Sequence, residues 1–150
     1  MIRVLFVCTG NTCRSPMAEA ILRSKKIPGI EVKSAGVFAA AGQGASPYAK
    51  DVLTENSIAH NHISTPLTER EVNWATHIFT MTESHKWMIM DSYPSAMDKT
   101  FTLKEFIFAD IKDRDVSDPF GGSQNIYNET FRELSDLIDQ LIDKLRFYGR

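Results

Sequence analysis

Apolar residues fill every position from Val4 to Val7, and at Cys8 the chain turns abruptly to small and polar side chains. So short and unbroken a run reads as a strand buried on both faces. The expected strand is Arg3–Val7, and Ile30–Ser34, His77–Met81 and Thr100–Leu103 are also expected as strands. Between them the pattern lengthens to a helical period. Ser15–Lys25 opens with Ser-Pro, which predicts an N-cap at Ser15 and proline at the first helical position. Ser46–Glu55 repeats the device with Ser46-Pro47, and Glu83–Asp91 is a further expected helix. In the longest, Gln124–Phe147, residues Phe131, Leu134, Leu137, Ile138, Leu141, Ile142 and Leu145 form one apolar stripe. A helix of that kind lies on a sheet. Alternating strands and helices predict a doubly wound α/β fold with parallel pairing and helices on both faces. No linker, repeat or low-complexity tract divides the chain, so residues 1–150 read as a single domain.

Composition narrows the function. Hydrophobic residues make up 43% and charged residues 24% of the 150, ordinary values for a globular protein. A formal net charge of −2 gives no reason to expect a nucleic-acid or membrane partner. Arg14 is the sole basic residue between Val4 and Leu22, so an anion site there is local. The run Ile2–Cys8 is too short for a secretory signal, and no apolar stretch approaches the roughly 20 residues that span a bilayer. Both cysteines, Cys8 and Cys13, sit in the opening stretch instead of being spread out to staple distant segments. That usage points to a reducing cytoplasm and reactive thiols, where the sequon at Asn128–Thr130 has no meaning. Gly42-Gln-Gly44 begins a dinucleotide fingerprint but lacks its third glycine and its strand–turn–helix setting. The four histidines have no clustered partners for zinc. Neither a metal nor a cofactor is expected.

The stretch Cys8-Thr-Gly-Asn-Thr-Cys-Arg-Ser15 joins the first strand to the first helix. In an open α/β sheet, ligands bind beyond the carboxyl ends of the strands. Here the connecting loop wraps a helix N-terminus, whose free N–H groups and dipole attract an anion. Gly10 and Asn11 are residue types that tolerate left-handed backbone, which a loop turning its amides inward requires. Arg14 adds a planar, permanently charged fork suited to phosphate oxygens. A free thiol is only about 3% ionised at pH 7, and amides, dipole and guanidinium would all favour its anion. A nucleophile beneath a cradle for a tetrahedral oxyanion suits displacement at phosphorus. Taken alone, a cysteine ending a buried strand is a small core residue; the glycine, asparagine, arginine and Ser-Pro around it argue for chemistry.

Phosphoryl transfer also needs an acid for the leaving group. Val116-Ser-Asp-Pro-Phe-Gly-Gly-Ser123 offers one in Asp118, held non-helical by the following proline and succeeded by a Gly121-Gly122 turn. Lying just before the long C-terminal helix, it can reach over the end of the first strand.

With Val7-Cys-Thr-Gly-Asn-Thr-Cys-Arg-Ser-Pro16 and Asp118-Pro-Phe-Gly-Gly122, the chain resembles the low-molecular-weight protein phosphatases over essentially its whole length. The resemblance implies a four-stranded parallel sheet flanked by helices and metal-free catalysis through a phosphocysteine, with phosphorylated proteins as partners. By position it implies Cys8 as nucleophile, Arg14 as phosphate clamp and Asp118 as general acid, then base. It puts Thr9, Gly10, Asn11, Thr12, Cys13, Ser15 and Phe120 around the bound phosphoryl group, with Asn11 and Ser15 also bracing the loop and favouring the thiolate. His62 falls where the family often has a bracing histidine. Cys13 matches a resolving thiol that traps oxidised Cys8 as a disulfide.

Two positions depart from the tyrosine-directed pattern. Thr12 stands where isoleucine is common, and Phe120 is followed by Gly121-Gly122 instead of a second aromatic. A branch with threonine in the loop acts on phosphoarginine. A polar guanidinium suits the hydroxyl of Thr12 and the carboxylate of Asp118, with Phe120 stacking on its plane; a tyrosine ring would suit isoleucine. The alternatives are a tyrosine phosphatase, a thiol-dependent arsenate reductase and a phosphoprotein-binding module. The reductase needs a further cysteine pair, and no cysteine follows position 13. A binding module has no use for Asp118 or for a thiol under the phosphate.

Overall fold

In the computed structural model, which describes residues 1–148, the apolar run becomes strand β1 (Ile2–Cys8) at the middle of the sheet. Its side chains alternate between two cores. Val4, Phe6 and Cys8 join one with helices α1 (Arg14–Ser24), α2 (Pro47–Glu55), α5 (Leu103–Ile107) and α6 (Gln124–Tyr148). Leu5 and Val7 join the other with α3 (Glu69–Trp74) and α4 (Glu83–Ser92). Both faces are therefore covered, which is why the run reads as continuous rather than alternating. The stripe on α6, from Phe131 to Leu145, is buried throughout.

β2 (Ile30–Gly36), β3 (His77–Thr80) and β4 (Thr100–Thr102) complete a four-stranded sheet in the order β2-β1-β3-β4, every pair parallel. The chain leaves β1 toward one edge to form β2, then returns past it to form β3. The end of β1 is thus the point where the connections diverge, the crevice in which open α/β sheets bind ligands. Cys8 lies there, in register with Gly36.

The structure corrects several sequence expectations. Helix α1 begins at Arg14 with Cys13 as its N-cap, so Ser15 is inside the first turn and is not a cap. Met81 lies beyond β3, and Leu103 opens α5 instead of ending β4. Thr102 and Glu105 form a capping box there, as Thr68 and Glu71 do at α3. Neither α3, α5 nor the 3-10 turn Pro94–Lys99 was expected from the pattern. Pro47 does follow its cap, Ser46, at the start of α2. None of the helices among the described residues is long and apolar enough to cross a membrane.

Candidate active site

The loop from Cys8 to Arg14 curls at the end of β1, and Asn11 alone takes the left-handed conformation, φ 57°. Gly10 does not share it. The glycine that the loop needs is elsewhere. A Cβ on Gly36 would come within 2.5 Å of the Thr9 carbonyl oxygen and 2.9 Å of the Asn11 nitrogen, so β2 must end without a side chain for the loop to lie against it. Val37 and Phe38 then extend the pairing, donating to the carbonyls of Cys8 and Thr9 at 3.0 and 2.9 Å.

Behind the loop runs a buried polar network. Asn11 Nδ2 donates to Ser15 Oγ and to Ser34 Oγ, each at 2.9 Å, while its Oδ1 accepts the Thr65 N–H at 2.8 Å. Both Nδ2 protons and the Oδ1 acceptor are engaged, which fixes the loop's one left-handed residue. With Asn11 occupying a lone pair, the Ser15 proton is free to point at Cys8 Sγ, 2.8 Å away. Ser34 Oγ in turn donates a hydrogen bond to Glu19 Oε1. His62 Nε2 donates to the Asn11 carbonyl at 2.6 Å and turns Nδ1 toward Glu19 at 3.7 Å. Burial alone would raise the Glu19 pKa, but the bonds from His62 and Ser34 and the charge of Arg23 outweigh it and hold the carboxyl below its ordinary value. Asn11 and Ser15 are fully buried, so their side chains support the loop and do not reach a substrate.

In front, the picture reverses. Among the described residues no acceptor meets the backbone N–H groups of Thr9, Gly10, Asn11, Thr12 or Cys13. Arg14 is buried, its Nη1 fixed by the Val116 carbonyl at 3.0 Å and its Nη2 facing Asp118 Oδ2 at 3.6 Å. Asp118 is held in turn: its Oδ1 accepts the Phe120 N–H at 3.0 Å, and Gly121 at φ 79° closes a turn from the Pro119 carbonyl to the Gly122 N–H. The Val116 N–H bonds the Met81 carbonyl, tying this loop to the end of β3. Cys8, Thr9, Gly10, Thr12, Cys13, Arg14, Asp118 and Phe120 together enclose a cavity of about 220 Å³. A larger one, about 670 Å³, is lined by Glu19, His62 and Arg23 but by no cysteine. Chemistry, not size, singles out the first.

Cys13 packs away from Cys8's supports, its Sγ 3.2 Å from the Tyr127 hydroxyl and 3.6 Å from Ser46 Oγ. Burial first, then the bond to Cys13, pushes the Tyr127 phenol up to about 12. The His85 ring meets the Thr9 hydroxyl through Nε2 at 2.8 Å, while its buried Nδ1 has no partner among the described residues. Ser34, Glu19, Gly36 and His85 all shape the site, and no local motif marks any of them. They are joined only in space.

His85 makes pH a probe of this packing. Burial, reinforced by Arg14, lowers its pKa from 6.5 to about 4, against the opposing pull of Asp115 and Asp118. The unfolded chain therefore takes up a proton between those values that the native chain refuses. Stability falls as pH drops from 6.5 toward 4, by about 3 kcal/mol at the end of that window, and is unaffected above it. Urea unfolding across the window is expected to show this slope, and His85→Asn to flatten it.

The family model for low molecular weight phosphotyrosine protein phosphatase matches residues 3–148. The chain belongs to that family. A protein-arginine-phosphatase of Geobacillus stearothermophilus is 54% identical over 144 residues, covering 96% of both chains. The low molecular weight protein-tyrosine-phosphatase PtpB of Staphylococcus aureus is 39% identical over 142 residues, covering 95% of this chain and 98% of its own. A solved YwlE arginine phosphatase mutant with a phosphorylated active-site serine superposes with a TM-score of 0.92 at 44% identity, covering 97% of this chain and 96% of that one. As a family member the chain has the expected α/β fold with its four parallel strands.

Proposed function

We propose that this chain is a cysteine-dependent protein phosphatase that removes phosphate from arginine side chains, acting in the cytoplasm. One observation carries the catalytic part: a run of backbone N–H groups without acceptors among the described residues, and a buried guanidinium, surround a cysteine whose Sγ lies 2.8 Å from the Ser15 hydroxyl. In this reading the Cys8 thiolate attacks phosphorus as the P–N bond breaks. Arg14 and the loop amides hold the phosphoryl oxygens, and Asp118 gives its proton to the departing guanidine nitrogen. The Asp118 carboxylate then takes a proton from water, which attacks the phosphocysteine, releasing inorganic phosphate and restoring the thiolate. A relative bearing phosphate on the residue at its active-site serine supports a covalent intermediate.

Arginine as the substrate side chain is supported by the name of the 54% identical relative and by the rim of the cavity. Among the described residues Thr12 Oγ1 has only a long contact, 3.8 Å, to Cys13 Sγ, and Asp118 and the exposed ring of Phe120 line the same cavity. A hydroxyl, a carboxylate and an aromatic face suit a planar cation better than a phenol ring. Thr12→Ile tests this. It leaves a guanidinium donor unpaired at about 1–3 kcal/mol, or roughly 5- to 150-fold in rate, while adding apolar surface for a ring. The expected result is a fall by that factor in the ratio of kcat/KM for phosphoarginine over phosphotyrosine peptides. A ratio that stays put, or a wild type that prefers phosphotyrosine, assigns the chain to the tyrosine-directed reading that PtpB represents.

The two free cysteines give the site a redox response in the same reading. Peroxide oxidises Cys8 to the sulfenic acid, and the Cys13 thiol condenses with it to a disulfide, releasing water. Mild oxidation is expected to abolish activity, with a reductant restoring it and mass spectrometry locating the cross-link within Cys8–Arg14. Recovery that is equally complete in Cys13→Ser would remove Cys13 from the mechanism.

A further inference from the structure

Beside the catalytic cavity lies a second, smaller cleft of about 190 Å³, walled by Val37, Phe38, Leu67, Met88, Ile89, Ser92 and Tyr93. It differs in kind from the larger hollows along β2, which are lined by Arg23, Lys33 and either Glu31 or Glu19. Apart from the Tyr93 phenol, nothing that lines it can ionise. Ile89 forms a buried floor, while Phe38 is 72% and Met88 37% exposed at its edges. Large apolar side chains left open around a concavity mark a place where another apolar group is received.

Two walls of the cleft are tied by hydrogen bonds to the catalytic loop. On one, the Val37 and Phe38 N–H groups bond the carbonyls of Cys8 and Thr9. On the other, α4 carries His85, whose ring bonds the Thr9 side chain, and one turn later Met88 and Ile89. One helical turn is about 5 Å, and an extended peptide advances about 3.3 Å per residue. A chain whose phosphorylated side chain enters the cavity above Cys8 thus brings its second or third neighbour over the cleft.

We propose that this cleft is a substrate subsite that takes one apolar side chain, of the leucine, isoleucine, methionine or phenylalanine class, two or three residues from the phosphorylated one. The inference rests on the phosphatase reading above and adds a sequence preference to it. The catalytic cavity admits a single side chain and carries no information about its neighbours; the cleft supplies that information. Because the contact is made equally in the ground and transition states, it acts on KM and leaves kcat in place.

The test compares peptides with leucine or serine at the second and third positions on either side of the phosphoresidue, in phosphoarginine and phosphotyrosine forms, with para-nitrophenyl phosphate as a substrate too small to reach the cleft. Leucine on one side is expected to raise kcat/KM about tenfold, through KM. Met88→Asp and Ser92→Trp, both at exposed positions on α4, are expected to erase that advantage while hydrolysis of para-nitrophenyl phosphate stays at the wild-type level. Equal rates for leucine and serine peptides, or an advantage that survives both variants, overturns the proposal. So does a fall on the small substrate that matches the fall on peptides, or a concentration-dependent dimer that Met88→Asp dissolves, since the cleft then serves a second copy of the chain. Peptide affinities measured with Cys8→Ser read the same preference without turnover. Absence of hydrolysis on every substrate strikes the phosphatase reading, and equal affinities in Cys8→Ser strike the cleft.

Discussion

Cys8→Ser is expected to reduce phosphate release by about 10⁴-fold or more, the scale on which removal of a covalent nucleophile is felt. Binding should survive, because the donors that hold the phosphoryl group are backbone N–H groups and Arg14, none of which the substitution touches. A hydroxyl is a poor nucleophile and, once phosphorylated, a poor leaving group beneath Asp118. The variant should therefore carry phosphate on the substituted side chain after long incubation with substrate, seen as one added phosphoryl group by intact mass. Vanadate should still bind it. Turnover near the wild-type rate would end the covalent mechanism.

Asp118→Asn comes next in size. It keeps the shape of the side chain and its acceptor for the Phe120 N–H, so the turn should persist. What it removes is proton transfer, worth about 10²- to 10⁴-fold. The loss should depend on the leaving group: severe for a peptide substrate, whose departing atom needs a proton, and much smaller for para-nitrophenyl phosphate, whose phenolate departs unaided. A uniform loss across leaving groups would instead make Asp118 a partner that merely orients Arg14, as its 3.6 Å approach to Nη2 permits.

How much of this was legible beforehand varies with distance along the chain. The nucleophile loop was plain because strand, loop and helix follow one another, so that each local preference agreed with the next. The same locality misled at Ser15. Ser-Pro is a capping pattern, but the cap falls two residues earlier, at Cys13, and the serine hydroxyl meets Cys8 instead. Thr100–Leu103 runs one residue too far for a related reason: Leu103 continues the alternation of Thr100-Phe101-Thr102, but the Thr102–Glu105 capping box starts a helix there. The short helices α3 and α5 are too brief to establish a period, though Thr68…Glu71 and Thr102…Glu105 were readable as starts. Glu19, Ser34, Gly36 and His85 belong to a different class. Each looks ordinary among its neighbours, and only folding brings them to the back and side of one loop.

The locked amide of Asn11 has a consequence for throughput. Braced from behind by three hydrogen bonds on Asn11, the cradle is built to meet any tetrahedral dianion with one geometry. Inorganic phosphate, the end product, is such an ion. An active site that spends nothing on reorganisation before reaction recovers nothing by relaxing afterwards, and the ambient phosphate level becomes a brake on the enzyme's own cycle.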